Sequence, residues 1–270
     1  MDNKTWIPKG IPTDKPTSAR MYDYLLGGYH NFKVDRQAAE RLLKERPDVR
    51  TNARAARAFL RRVVLFLSKQ GIDQFLDIGS GIPTVGNVHE LAQQANPAAR
   101  IVYVDIDPVA VAHSTALLVN NPLASAISGD VEQPDQILHH PTVKTLLDFR
   151  RPVAVLLLSV LHFALDNKEA CRAIGYLRDA QSAGSYLAVL HPTFDGRSCE
   201  TIETTQEQAD RSGFRARYRT YAEVQQLFEG YELVEPGLVR APVWRPEGTD
   251  DLLVDEPDKM PGWAGVGRKP

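Results

Sequence analysis

The sequence predicts an α/β protein: a mostly parallel sheet with helices on both faces, preceded by an N-terminal helical extension. Three observations predict it. From residue 72 onward, short apolar runs alternate with helical segments, the pattern of βαβ units. The run 153–158, Val-Ala-Val-Leu-Leu-Leu, is apolar on both faces, as a central parallel strand must be. The run 75–78 passes directly into Gly79-Ser80-Gly81, a strand-to-turn junction of the kind that faces ligands in such sheets.

The elements follow in order. Residues 1–18 are polar and carry Pro8, Pro12 and Pro16, so they read as an extended arm. Tyr22, Leu25 and Leu26 recur at helical spacing before Gly27-Gly28 stops the helix. A second helix is expected over 35–46, ending before Pro47. A third runs from Asp48 to Gly71 with the stripe Phe59, Leu60, Val63, Phe66 and Leu67. Strands are expected at 74–78, 101–105, 125–128, 153–158, 186–190, 231–239 and 263–266, with helices at 84–95, 108–119, 134–148 and 168–182. Residues 191–219 read as a polar stretch with no assigned element. Thr220-x-x-Glu223 has the form of a capping box opening a helix that ends at Gly230, and 247–258 is an acidic loop. No repeat and no internal linker appears. Residues 1–71 are therefore an arm and helical cap on a core of 72–270, in one structural unit.

Composition narrows the function. Of 270 residues, 43% are hydrophobic and 24% charged, so a disordered chain is excluded as the default. The net charge is -2, from 32 basic and 34 acidic residues, which gives no overall field to draw the chain onto nucleic acid. Two cysteines, Cys171 and Cys199, cannot build a disulfide framework or a four-thiolate zinc site. His139 and His140 are adjacent and point to different faces, so no metal is expected. The first residues lack the apolar core of a signal peptide, and the run 153–161 is half the length of a membrane span. The expectation is a cytoplasmic protein with no membrane and no nucleic-acid partner.

The chemistry gathers at three strand ends. Glycine at 79 and 81 permits positive φ and lets a ligand approach the backbone, and the following helix would offer free N–H groups. A dinucleotide fingerprint would need glycine at position 84, which is Thr84, and the phosphate-binding lysine motif is absent. The next strand ends in Asp105-Ile106-Asp107-Pro108. Asp107 before proline has the form of a helix cap, which leaves Asp105 to accept hydrogen bonds from two ribose hydroxyls. Asp130, ending the third strand, could accept from an adenine amine. Three acids without a phosphate-binding lysine suit a ligand that has a nucleoside and a positive charge.

These residues resemble the class I S-adenosylmethionine-dependent methyltransferases. Asp77-x-Gly79-x-Gly81 matches their first motif, Asp105 their ribose acid and Asp130-Val131 their adenine-contacting pair. Pro83 stands where the general pattern has its third glycine. The run Pro16-Thr-Ser-Ala-Arg-Met-Tyr-Asp-Tyr-Leu-Leu-Gly-Gly, with Asn31-Phe32 and Asp35-Arg36 after it, is similar to an actinobacterial family of S-adenosyl methyltransferases of unknown substrate, in which Asp-Ile-Gly-Ser-Gly-x-Pro-Thr also occurs. The resemblance covers nearly the whole chain. It implies a Rossmann-like, seven-stranded fold and S-adenosylmethionine as cofactor. It also implies that Asp77, Gly79, Ser80, Gly81, Asp105, Ile106, Asp130, Val131 and Ser159 hold that cofactor. It names no substrate; the expected acceptor is a small molecule.

Other residues have a plain reading beside a functional one. His162 follows the central strand and could serve as general base for a hydroxyl acceptor, or pack and hold its loop. His191, at the end of the next strand, is similar. Tyr22, Tyr24, Asn31, Phe32 and Arg36 beside the double glycine could form a lid over cofactor or substrate, or brace the extension. Arg50, Arg54, Arg57 and Arg61 share one helix face, solvated or acid-binding. Two rivals remain, a cofactor-binding sensor without turnover and a nicotinamide oxidoreductase. Thr84 argues against the second.

Overall fold

The computed structural model describes residues 13–83, 86–212, 215–248 and 251–270. The N-terminal extension folds as α1 (Ser18–Leu25), α2 (Lys33–Glu45) and α3 (Val49–Lys69). The Thr17 side chain caps α1 by accepting from the Arg20 N–H. The two glycines that end α1 act differently. Gly27 adopts φ +86°, where a side chain would be strained. Gly28 gives way to Asp23, since a Cβ there would land on the Asp23 carboxylate. That carboxylate accepts from the His30 N–H at 2.9 Å and the Asn31 amide at 2.8 Å, which folds the chain back toward α2. Arg20 and Asp35 then join α1 to α2 through a fully buried ion pair of 3.1 Å.

Helix α3 does more than cap. Its Phe59, Leu60, Val63, Val64 and Leu67 form part of the core on one face of the sheet, and Phe66 lies half-buried at its margin. The strands are β1 (Gln74–Ile78), β2 (Arg100–Asp105), β3 (Ala124–Ser128), β4 (Ala154–Leu158), β5 (Tyr186–Pro192), β6 (Glu232–Leu233), β7 (Val239–Arg240) and β8 (Gly262–Arg268). They lie in the order β3-β2-β1-β4-β5-β8-β6, with β7 beside β8. The five from β3 to β5 are parallel, and β8 runs antiparallel to β5. Helices α4 (Val88–Ala95), α5 (Pro108–Leu117), α6 (Pro134–His139), α7 (Pro141–Leu146), α8 (Asn167–Ala180), α9 (Cys199–Ser212) and α10 (Tyr221–Gln226) complete the chain. Side chains of α3 and α4 cover one face, and those of α6, α7, α8 and α10 the other. Leu76, Val155 and Leu157 point to one face while Phe75, Ala154 and Leu156 point to the opposite one, so these strands are buried on both sides.

The expected α/β architecture is present, with four local differences. The stretch 231–239 is not one strand: Pro236 and Gly237 (φ +88°) turn the chain, giving two short strands and eight in all instead of seven. The helix expected over 134–148 breaks at Pro141, whose missing N–H and ring stop α6. The polar stretch after β5 contains α9, a helix with too little apolar periodicity to be seen in advance. The helix expected from 84 begins at Val88, with Asn87 as its cap; positions 84 and 85, and with them Thr84, lie outside the described residues, as does the arm over 1–12. The glycine turn therefore does not run straight into a helix. Among the described residues no helix is long and apolar enough to cross a membrane.

Candidate cofactor-binding site

Strand order reverses between β1 and β4, the place where ligand crevices form at the carboxyl ends of parallel strands. The glycine turn lies there. Gly79 (φ +75°) and Ser80 both donate to the Val104 carbonyl at the end of β2, at 2.8 and 3.1 Å. A Cβ on Gly79 would collide with the Cβ of Val160, so the turn and the loop after β4 are in direct contact. Gly81 (φ +67°) has open space where its side chain would be. Its N–H donates to Asp105 Oδ2 at 2.7 Å.

Asp105 thus ties β2 to the glycine turn. Its other oxygen accepts from the Asp107 N–H at 2.8 Å. Each oxygen keeps a lone pair for a further donor. Burial raises its pKa, against the pull of the Asp107 and Gly81 N–H groups. Asp107 has another task. Its Oδ1 caps α5 by accepting from the Val109 N–H at 2.8 Å, and its Oδ2 accepts from the Thr17 hydroxyl at 2.5 Å. Between the two acids stands Ile106, 68% exposed, a bare apolar face at the lip of the crevice. At the next strand end, Asp130 Oδ1 accepts from the Glu132 N–H at 3.0 Å in a tight turn. The Val131 side chain is buried in the core, while its N–H donates to no described residue.

Asp77 lies beneath this turn. It is 4% exposed, and its carboxylate accepts no hydrogen bond from any described residue. Burial pushes its pKa up to about 7; Arg57 opposes the rise and Asp105 adds to it. A buried carboxylate without a donor is costly unless something cationic meets it. Arg57, on α3, also donates to the Gly86 carbonyl at 2.9 Å. The arginine face expected on α3 therefore divides: Arg57 bears on Asp77, Arg61 pairs with Glu247 at 3.3 Å, and Arg54 is exposed.

The extension closes one side. Phe32 and Ala19 pack on Ile82, Val109 and Ala110, and the Arg20 guanidinium stands 4.9 Å over the Phe32 ring. The other residues singled out there are engaged within the extension. The Tyr22 hydroxyl donates to the Ala53 carbonyl at 3.0 Å, and burial pushes its pKa up to about 12. The Tyr24 hydroxyl donates to Glu40. Arg36 donates to the Asn31 carbonyl and side chain at 2.9 and 3.1 Å. Only Phe32 among these five is seen to pack on the glycine turn.

On the far side of the crevice the chain leaves β4 through Ser159, held at φ +58° with its N–H donating to the Leu190 carbonyl at 2.8 Å. A positive φ is uncommon for serine and fixes the entry into the turn Leu161–Phe163. His162 sits in that turn, its Nδ1 sealed from solvent without a partner. Burial, then the nearby His191 and Arg219, pull its pKa down to about 3. His191 is bonded at both ring nitrogens, to the Pro192 carbonyl and to Arg219 Nη1, each at 2.8 Å. Since a guanidinium only donates, His191 Nε2 must accept, and the proton lies on Nδ1. Burial above all pulls its pKa down to about 4.

Arg219 was invisible in the sequence. It is 0% exposed and has no carboxylate partner among the described residues. Instead it donates to the carbonyls of Leu161 and Ala164 at 2.8 and 2.9 Å and to Asn167 Oδ1 at 2.7 Å. It thereby straps the loop that carries His162. Nothing about an arginine just ahead of a capping box signals burial; only the tertiary path of 191–219 does.

One expected result follows for the histidines. Both fold with pKa values below 6.5, so they should stay neutral in nuclear magnetic resonance titrations from pH 8 to 5. Each then costs stability on acidification, because the unfolded chain takes up the proton first. The loss begins as pH falls through 6.5, at up to about 1.4 kcal/mol per group per pH unit. A His162 ring that titrates near 6.5 would contradict the burial described. No three metal-ligating side chains cluster among the described residues.

Comparison with known proteins gives this geometry a context. A methyltransferase candidate from Thermobifida fusca is 41% identical over 98% of this chain and 98% of its own, with a TM-score of 0.90. A DUF574 family protein from Streptomyces avermitilis is 35% identical over 96% of this chain and 99% of its own, with a TM-score of 0.88. A SAM-dependent methyltransferase from Methanosarcina mazei, 14% identical over 73% of this chain and 92% of its own, shares the fold alone at a TM-score of 0.50. No curated protein matches the chain. The model of a family described as S-adenosyl methyltransferase matches residues 4–270; the chain belongs to that family, with its Rossmann-like fold and S-adenosylmethionine as cofactor.

Proposed function

We propose that the chain transfers the methyl group of S-adenosylmethionine to a small-molecule acceptor held between the glycine turn and the loop after β4. The observation that carries this reading is Asp77, a buried carboxylate without a hydrogen-bond donor at the floor of a glycine turn. The residues fit the cofactor. Asp77 receives its ammonium group, and the free lone pairs of Asp105 receive the ribose hydroxyls. Gly79, Ser80 and Gly81 admit the cofactor close to the backbone, and Ile106 offers its bare face to the flat adenine. Asp130 accepts from the adenine amine while the unused Val131 N–H donates to the ring. Ser159 borders the methionine end, and Phe32 closes the side.

When bound, the cofactor supplies a methyl group already activated on a sulfonium. The task left to the protein is alignment of an acceptor and exclusion of water. Gly79 against Val160 fixes the distance between the two walls, and Arg219 fixes the shape of the second. His162 is neutral, and burial makes it a weak base. That favours an acceptor that needs little deprotonation, such as a neutral amine, over an alcohol. The test is incubation with S-adenosylmethionine and a panel of neutral amines and phenols, with S-adenosylhomocysteine as the readout. Turnover above the blank with an amine is expected. Saturable cofactor binding with no turnover across the panel would support a sensor instead.

A further inference from the structure

A second cleft lies at the opposite end of the sheet from the glycine turn, where β1, β4 and β5 begin. It has a volume of about 670 Å³, within the range of small-molecule sites. Its lining includes Phe66 and Ile72 on one side, Tyr186 at the start of β5, and Arg245 and Arg268. Tyr186 is 5% exposed, yet its hydroxyl takes part in no hydrogen bond with any described residue. Its ring is packed in the core while the hydroxyl itself is not sealed off and opens into the cleft. Arg268 stands directly across the β5–β8 pair from Tyr186, so the two side chains share a face. Its guanidinium has no hydrogen bond or ion pair among the described residues. Glu232, its neighbour on β6, does not come within ion-pair distance.

Arg245 supplies a second cation and is held in place. Its backbone is at φ +48°, its Nε donates to the Glu235 carbonyl at 2.7 Å, and its guanidinium lies 4.3 Å over the Phe66 ring. Both of its terminal nitrogens remain without a partner among the described residues. The carboxyl end of α3 adjoins the cleft and would by itself favour a cation. There, however, the carbonyls of Phe66, Leu67 and Ser68 already accept from the N–H groups of Gln70, Gly71 and Ile72. Two guanidiniums and a free hydroxyl therefore set the sign.

We propose that this cleft is a binding site for a small molecule with a flat apolar body and one oxyanionic group, carboxylate or phosphate, independent of the cofactor site. The anion is received by Arg268, Arg245 and the Tyr186 hydroxyl, and the flat body stacks on the planar Arg245 guanidinium, which itself lies over the Phe66 ring. Charge-assisted bonds from guanidinium to oxyanion give the affinity, and stacking on the guanidinium plane gives the selectivity.

The test is calorimetric titration of the full chain, saturated with S-adenosylhomocysteine to fill the cofactor site, with phenyl phosphate and separately with benzoate. Inorganic phosphate is the control for the anion alone. Both probes should bind saturably and at least about tenfold more tightly than inorganic phosphate. Arg268→Gln should weaken them about tenfold or more, the cost of a lost charged hydrogen bond. Tyr186→Phe keeps the ring and its packing and should weaken them several-fold. Thermal melting of both variants checks that the fold is kept. Probes that bind no tighter than inorganic phosphate, or with the same affinity in both folded variants as in the wild type, would overturn the proposal.

Discussion

Asparagine in place of Asp77 should weaken S-adenosylmethionine binding about ten- to a hundredfold at pH 7.5, the scale of a charged hydrogen bond lost from a dry site. It should also remove the proton release that accompanies that binding below pH 7. Burial pushes the pKa of Asp77 up to about 7, so below that pH the carboxyl is protonated. An incoming ammonium prefers the ionised form, and binding must then release a proton. Affinity in the wild type should rise with pH up to about 7 and level off above it. Calorimetry at pH 6 in two buffers of different ionisation enthalpy should detect the released proton in the wild type and not in Asp77→Asn. Stability should move the other way. An acid whose pKa is raised by folding loses stability as pH rises from its unfolded value through its folded one. Removing Asp77 should therefore raise the melting temperature above pH 7. A variant that loses binding and stability together would mean that Asp77 braces the turn and does not meet the cofactor.

Gly79→Ala should produce the larger loss of binding, more than about a hundredfold. Two effects add. The residue sits at φ +75°, which costs a side chain roughly 1–2 kcal/mol. Its Cβ would also collide with Val160, so the turn must leave the Val104 carbonyl that holds it. Gly81→Ala isolates the first effect: its φ is +67°, but its side chain would enter open space. That variant should lose no more than about tenfold. Val160→Ala should not rescue Gly79→Ala, because Val160's own Cβ collides as closely as its Cγ2 and would remain, whereas Val160→Gly should recover part of the loss. Equal effects of the two glycine substitutions would show that strain, not the contact with the β4 loop, sets the geometry.

Much of this fold was legible because its signals are local. Strand β1 falls on the expected residues, and β2 to β4 differ by one residue at an end, because a doubly buried strand needs an unbroken apolar run. The roles of Asp105 and Asp107 separate through proline at the first helical position, which identifies Asp107 as the cap. What stayed hidden depends on tertiary path. Arg57 reads like any arginine of a solvated face; only the packing of α3 on the sheet brings its charge to bear on Asp77. Arg219 is buried by carbonyls from a loop more than fifty residues away in the chain. Gly28 read as a helix stop, but its reason is the Asp23 carboxylate. Helix α9 lacks a strong apolar stripe, and β6 and β7 are too short to carry a period.

The central claim is that the crevice above the glycine turn holds the cofactor, with Asp105 on its ribose and Asp107 on the protein itself. Calorimetric titration of S-adenosylhomocysteine into the wild type, Asp105→Ala and Asp107→Ala tests it most directly. The wild type should bind one equivalent. Asp105→Ala should lose about ten- to a hundredfold in affinity, for the ribose hydroxyls and the anchor of Gly81 go together. Asp107→Ala should mainly lower the melting temperature, by the loss of a helix cap and of the Thr17 tie, with affinity within a few-fold of wild type. If Asp107→Ala abolishes binding while Asp105→Ala keeps it, both variants being folded, the account of this site is wrong.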